Sequence, residues 1–195
     1  MVSRIPVLAT AIALNVIVAA IVLALKLPVY LDAIGTIVAT LMLGLVPGIV
    51  VGVVSFLIAT PLISPVYIYF IGTQVCIAVY VYLVAKHLRG FLTWPRIVLS
   101  GIGLGIVAGI VSAPVIVLVF GGASGSGRDL VTAVLVGIGQ RILTAVFLSG
   151  FASEPFDKTL QCVLAVLILR GMPLSVLAAF RNDVLARNLP SAAKS

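Results

Sequence analysis

Residues 30–52 read YLDAIGTIVATLMLGLVPGIVVG, and this stretch decides how many helices the chain forms. From residue 31 to residue 63 there are too many apolar residues for one ordinary membrane span, which needs about 20 residues. Gly44, Pro47 and Gly48 stand near the middle of this run, and glycine and proline break helices. The stretch therefore forms either one kinked span or two short ones, at 31–45 and 48–63.

The composition indicates an integral membrane protein. Of the 195 residues, 63% are apolar and 9% are charged, and the mean hydropathy is +1.36. Charged residues make up about a quarter of an ordinary soluble domain. The apolar runs are continuous rather than alternating, which predicts an all-α bundle in a single domain. The net charge of +7 comes mostly from basic residues that flank these runs, so it indicates contact with the lipid bilayer and not with nucleic acid.

Four further runs are long enough to cross the hydrocarbon core of a bilayer, namely residues 5–25, 66–85, 97–120 and 130–151. Charge decides how many spans lie between the first two of them. With two short spans and a cytoplasmic N-terminus, the basic cluster 86–96 faces the cytoplasm, as the positive-inside rule requires. With one span it would face outside. We therefore predict a six-transmembrane-helix bundle in the cell membrane with both termini cytoplasmic.

The remainder of the chain, residues 155–195, is predicted to form a short cytoplasmic helix followed by a tail. Ser153 fits the N-cap of this helix, and Pro155 fits its first turn. After Arg181 the sequence has no apolar periodicity, which indicates a frayed end.

The fourth predicted span carries the best candidate binding face. Tyr67, Phe70 and Gln74 follow i, i+3, i+7 spacing, with Thr73 adjoining, so aromatic rings and an amide share one side near the outer end. Such a face suits a flat heterocycle, which stacks on the rings while the amide binds its ring nitrogens or carbonyls. The alternative is that Tyr67 belongs to the aromatic belt at the membrane interface.

The outer loops supply further candidates. Tyr30 and Asp32 precede the second helix, and the glycine-rich connection 121–127 has the flexibility to close over a pocket. Asp32 has two interpretations. It either caps the N-terminus of the second helix or contacts the ligand.

Three polar side chains within the predicted spans are open to functional and structural interpretations. Gln140 and Arg141 lie well inside the sixth span. Arg141 either binds an anionic group of the substrate or has a structural role. In the structural role its side chain donates to backbone carbonyls or extends toward the cytoplasm. Asn15 in the first helix either contacts the ligand or bridges helices.

Nothing in the sequence is arranged for catalysis, for a cofactor or for a metal. Ser/His/Asp and Cys/His constellations are missing, and His87 has no second metal ligand nearby. The five acidic residues form no pair within the predicted spans, which argues against proton coupling. We expect a binding protein and not an enzyme.

The order of these parts resembles the substrate-binding S components of energy-coupling factor transporters, which take up vitamins and similar micronutrients. The parts are the first helix, the Leu-Asp-x-Ile-Gly-Thr loop at 31–36, the Gly/Pro break at 44–48 and the patch Ser64-Pro65-Val66-Tyr67. The likeness covers roughly residues 4–157. It implies six helices, outer loops that cover the substrate site, and toppling of the loaded subunit in the membrane.

The resemblance also implies partners. S components use an Ala-x-x-x-Ala pattern in the first helix to dock on a transmembrane coupling subunit, and Ala9 and Ala13 have this spacing, which lets another helix approach closely. The chain has no Walker motif, so ATP would be used by two ATPase subunits. A stand-alone carrier and a membrane sensor module are the alternative functions.

Overall fold

The computed structural model of the chain describes residues 4–126, 128–180 and 182–188. All regular secondary structure in these ranges is helical. The helices are α1 (Ile5–Ala24), α2 (Ile34–Leu43), α3 (Leu45–Leu62), α4 (Ile71–Leu83), α5 (Trp94–Phe120), α6 (Asp129–Gly137), α7 (Ile142–Gly171), α8 (Leu174–Ala179) and α9 (Asp183–Asn188). A 3-10 helix, Pro65–Phe70, leads into α4, and a π turn, Val84–Leu88, follows it. We call the whole stretch Pro65–Leu88 the α4 segment.

Four helices in the described residues are long and apolar enough to cross a membrane: α1, α3, the α4 segment and α5. Their ends lie within three residues of the predicted spans. Large apolar side chains are exposed along them, for example Leu62 at 72% and Leu118 at 83%. Exposed apolar surface of this extent is typical of a lipid-facing protein. The chain therefore has the helices expected of a membrane protein.

The short helix α2 lies at the centre of the structure. All of its ten residues except Leu43 are buried, and it packs against α1, α3, α4 and α7. Gly35 makes the approach to α1 possible, because a Cβ atom there would collide with the carbonyl oxygen of Ala11. The chain turns into α3 at Gly44, whose φ of +101° favours glycine. The predicted division of residues 31–63 into two helices is confirmed.

The predicted helix over 130–151 is wrong. α6 ends at Gly137, the chain turns at Gly139 with a φ of +92°, and α7 then continues for 30 residues. Pro155 lies inside α7 rather than at the start of a separate helix. Ser153 is no cap, because its hydroxyl donates to the carbonyl oxygen of Ser149 one turn earlier. The predicted boundary at residue 155 is therefore the middle of a long helix.

Packing against α5 explains why α7 continues through its proline. Gly105 of α5 lies directly against the backbone of Pro155, and Gly101 lies against Thr159. A side chain at either glycine would push the two helices apart, so the glycines let α5 hold α7 along its length.

The last described helix, α9, is fixed to the end of the bundle where α2 and the α4 segment stop. Asn182 donates to the carbonyl oxygen of Met42. The side chain of Asn188 donates to the carbonyl oxygen of Ala85 at 2.9 Å and accepts from the Phe91 amide at 2.9 Å. The prediction of a frayed end is thus wrong for residues 182–188, while Arg181 and residues 189–195 lie outside the described residues.

Candidate functional site

A cavity of about 120 Å³ lies at the opposite end of the bundle from α9. It is enclosed by the last turns of α1, the first turns of the α4 segment, the middle of α7 and the two loops that follow α1 and α5. Six of the predicted site residues line it: Tyr30, Asp32, Tyr67, Phe70, Thr73 and Gln74. The structure thus brings together the candidates from the loop before α2 and from the fourth predicted span.

One wall of the cavity is aromatic. The ring of Tyr67 meets the ring of Phe56 edge to face, with centroids 5.0 Å apart. The ring of Phe70 stacks on Phe120 at 6.1 Å. Tyr67 and Phe70 are therefore each held in place by a neighbouring ring, and Phe56 also lines the cavity, which suits the binding of a flat group.

Another part of the cavity wall is ionic. Lys158 of α7 is buried, and its Nζ atom lies 2.7 Å from Asp157 Oδ2, 3.3 Å from Asp32 Oδ1 and 3.8 Å from Glu154 Oε2. The same ammonium group lies 5.6 Å from the ring centroid of Tyr30. The ion pair between Asp32 and Lys158 thus joins the loop before α2 to α7 in the interior of the protein.

Asp157 also fixes the backbone of this loop. Its Oδ1 atom accepts from the amides of Tyr30 at 2.9 Å and Leu31 at 3.0 Å. Its Oδ2 atom accepts from Lys158 and, at 2.8 Å, from the side chain of Gln161. Both oxygens of this carboxylate are therefore fully used by the protein.

The fifth charged group of the cluster is Arg128, which is 2% exposed. Its guanidinium group donates to Glu154 Oε1 at 3.3 Å, to Ser149 Oγ at 3.1 Å and to the carbonyl oxygen of Val146. Gly150 leaves room for it, because a Cβ atom there would lie 2.6 Å from the guanidinium. Arg128 thus anchors the loop after α5 onto α7.

The glycine-rich loop is ordered where the structure describes it. The Asp129 carboxylate accepts from the amides of Gly125 at 2.6 Å and Ser126 at 3.1 Å. The Ser126 hydroxyl lies 3.3 Å from the hydroxyl of Tyr30. Burial raises the pKa of Tyr30 to about 12, and the nearby Glu154 charge acts in the same direction, so this hydroxyl stays protonated. Gly127, the last residue of the predicted loop, lies outside the described residues.

A second buried polar network lies deeper, between α1, α2, α3 and α4. The Asn15 amide donates to Thr36 Oγ1 at 3.0 Å and Ser55 Oγ at 3.2 Å, and it accepts from the Gly35 amide at 2.7 Å. Thr36 in turn donates to Gln74 Oε1 at 2.9 Å. Asn15 does not line the cavity. Its geometry favours the helix-bridging interpretation over ligand contact.

Gln74 belongs both to this network and to the cavity wall. Its Oε1 atom accepts from Thr36, and its Nε2 atom donates to the carbonyl oxygen of Asp32 at 3.2 Å. Asp32 is no side-chain cap for α2, since Ala33 occupies the N-cap position without a side-chain bond. The Asp32 carboxylate turns instead to Lys158.

The predicted position of Gln140 and Arg141 inside the sixth span is wrong. They lie in the turn between α6 and α7, both are exposed, and neither lines the cavity. The physical reason is the end of α6 at Gly137, which carries these residues out of the predicted span.

Four buried partners were not predicted from the sequence: Arg128, Glu154, Asp157 and Lys158. Arg128 directly follows the predicted outer loop 121–127, and the other three lie at the start of the predicted cytoplasmic helix. One signal was present: Glu154, Asp157, Lys158 and Gln161 follow i, i+3, i+4, i+7 spacing, which puts them on one helix face. This face points into the protein only because α7 is one continuous helix.

No family model matches the chain, and neither a curated protein nor a solved structure matches it. The function of the cavity is therefore argued from its own residues.

Proposed function

We propose that this chain is the substrate-binding S component of an energy-coupling factor transporter and captures a small organic micronutrient, such as a vitamin or a vitamin precursor. The observation that carries the proposal is the cavity at one end of an apolar helical structure, with an aromatic wall, an ionic wall and two loops across its mouth. Concave sites with apolar walls and a few convergent polar groups are the usual form of a small-molecule site. The order of motifs around Asp32 and Gly44 gives the family resemblance.

In this proposal six helices cross the plasma membrane: α1, α2, α3, the α4 segment, α5 and α7. The end that carries the basic cluster 86–96 and α9 faces the cytoplasm, and the cavity faces outside. α2 is shorter than a bilayer is thick, but its neighbours surround it, so its length need not match the lipid. The charges in the middle of α7 are tolerated because they turn inward and pair with each other.

The partners in this proposal are a transmembrane coupling subunit and two ATPase subunits. α1 has a buried face, with Ala11, Asn15 and Ala19, and an exposed face with Ala9 and Ala13. Small residues on an exposed face let a partner helix approach closely. This surface is available for the coupling subunit while the other face holds the bundle together.

A stand-alone ion-coupled carrier is the second candidate, and the ionic wall favours it. The sequence contains no paired carboxylates within the predicted spans, which argues against proton coupling. The structure places Asp32, Asp157 and Glu154 around one lysine. Buried carboxylates of this kind serve as proton relays in carriers.

Co-purification separates the two candidates. Affinity purification of the tagged chain from its native membrane should recover an ATPase pair and a coupling subunit. Replacing Ala9 and Ala13 with leucine should release these subunits while the small molecule stays bound. Recovery of the chain alone, together with gradient-driven uptake by the purified chain in liposomes, would establish the carrier instead.

A further inference from the structure

We infer that the substrate carries a positively charged nitrogen with at least one N–H bond, that this group donates to the Oε2 atom of Glu154, and that a single ring attached to it packs between Tyr67 and Phe70. The inference rests on the proposed function and names the chemical class of the substrate. It depends on three observations: an unused acceptor, a surplus of negative charge and the size of the cavity.

The unused acceptor belongs to a residue that lines the cavity. Glu154 Oε1 accepts from Arg128, but Oε2 accepts no hydrogen bond from any described residue, and Lys158 Nζ is 3.8 Å away. The Glu154 side chain is only 5% exposed, and the residue lines the cavity. A buried acceptor without a donor is rare in folded proteins, because it has lost its water without replacement. A donor on the ligand supplies the hydrogen bond that this oxygen lacks.

The surplus charge indicates that this donor is a cation. In the described part of the cluster, three carboxylates, on Asp32, Glu154 and Asp157, face two cations, on Arg128 and Lys158. With all five groups ionised the cluster has a formal charge of −1. An uncompensated charge away from water is costly, and either a proton on one carboxylate or a ligand with one positive charge removes the cost. The inference takes the second case, which the probes below test.

The cluster offers no comparable site for an anion. Lys158 donates to Asp157 and Asp32, and Arg128 donates to Glu154, Ser149 and the backbone of α7. Each cation in the described cluster is thus already paired with protein acceptors. An anionic substrate would have to displace one of these bonds and add to the negative surplus.

The volume of the cavity suits one small ring. At about 120 Å³ it is close in size to cavities of about 150 Å³ that hold a benzene molecule. Tyr67, Phe70 and Glu154 line the same cavity, so a ring on Tyr67 and Phe70 places an attached ammonium in the space that Glu154 borders.

Three probes of equal size and different charge test the inference on the purified wild-type chain in detergent, after exhaustive removal of bound ligand. They are benzylammonium, benzyl alcohol and benzoate, each titrated by calorimetry. Benzylammonium should bind at least about tenfold more tightly than benzyl alcohol, as expected for a hydrogen bond to a charged group, and benzoate should bind most weakly. Equal or tighter binding of benzyl alcohol or benzoate, or undetectable binding of benzylammonium, would overturn the inference.

The variant Glu154→Gln tests the named atom. Glutamine keeps an acceptor for Arg128 and makes the cluster formally neutral, so the fold should be retained, as checked by thermal melting. Affinity for benzylammonium should fall about tenfold to a hundredfold, while affinity for benzyl alcohol stays the same. Asp183→Asn, an exposed carboxylate on α9 at the far end, is the matched control and should change neither value. Unchanged benzylammonium binding in a folded Glu154→Gln variant contradicts the inference, and if that variant does not fold, the probe series on the wild type decides.

Failure of this inference and failure of the proposed function give different results. If the chain purifies with its ATPase pair but retains a neutral or anionic molecule, the function stands and the substrate class is wrong. If a cationic ring compound is retained but no ATPase pair is found, the substrate class stands and the S-component assignment is wrong.

Discussion

The two buried polar networks described above, one around Asn15 and one around Lys158, differ in whether their hydrogen bonds are complete. In the network of Asn15, Thr36 and Gln74, each amide oxygen and nitrogen has a partner on a neighbouring helix or loop. In the cluster around Lys158, Glu154 keeps an unused oxygen and the carboxylates outnumber the cations. A complete network stabilises the helices that it joins, whereas an incomplete one beside a cavity is suited to a ligand.

Both networks are buried and both connect distant parts of the chain, so neither property distinguishes them. Asn15 joins α1 to α2 and α3, and Asp157 joins α7 to the loop before α2. The difference lies in position. The first network fills the space between closely packed helices, where Gly35 allows contact, and the second borders an open volume.

The largest effect is expected for Lys158→Met. This change leaves three buried carboxylates with Arg128 as their remaining cation, and breaking a buried ion pair in this way costs about 3–5 kcal/mol of folding free energy. Thermal melting and size-exclusion chromatography in detergent measure it. Lys86→Met, a lysine next to Tyr82 at the other end, is the matched control and should cost less than about 1 kcal/mol. Equal melting of the two variants would show that the cluster does not support the fold.

A smaller effect is expected for Asn15→Leu, which tests the complete network. The Gly35 amide, Thr36 and Ser55 each lose a partner, so stability should fall by about 1–3 kcal/mol for an unsatisfied group. Ligand affinity of the folded fraction should not change. Thr10→Val, on an exposed part of α1, serves as the control and should stay within about 0.5 kcal/mol of the wild type. Lost affinity at unchanged stability would move Asn15 into the binding site.

The smallest effect is expected for Arg141→Leu. Arg141 is exposed in the turn between α6 and α7, so stability should change by no more than about 0.5 kcal/mol and affinity should not change. Arg128→Leu is the matched comparison, because it removes the buried partner of Glu154 and should destabilise the protein strongly. If Arg141→Leu weakened binding more than Arg128→Leu, the site would lie along the turn between α6 and α7 and not at the cavity.

Much of the fold follows from the sequence, because most helices are apolar runs with glycine or proline at their ends. This holds for α1, α3 and α5 and for the turn at Gly44. α7 was not predicted, because Glu154, Asp157 and Lys158 interrupt its hydropathy and Pro155 resembles a helix start. Tertiary contacts override both signals, because α5 packs on Pro155 and the charged side chains pair with residues far away in the chain.

One of the two walls of the candidate site could be predicted from the sequence. The face of Tyr67, Phe70 and Gln74 follows from helical spacing alone and lines the cavity. The ionic wall could not be predicted, because Arg128 meets Glu154 across 26 residues and Lys158 meets Asp32 across 126, and no local pattern encodes such pairs. Their contact depends on how the loops fold back onto α7.

The central claim is that the incomplete cluster binds the substrate, and the small molecule retained after mild purification tests it most directly. Mass spectrometry should find one ring compound with a cationic nitrogen in the wild-type chain and in Asn15→Leu, and little or none in folded Glu154→Gln. The same compound retained equally by folded Glu154→Gln and by the wild type would contradict the account.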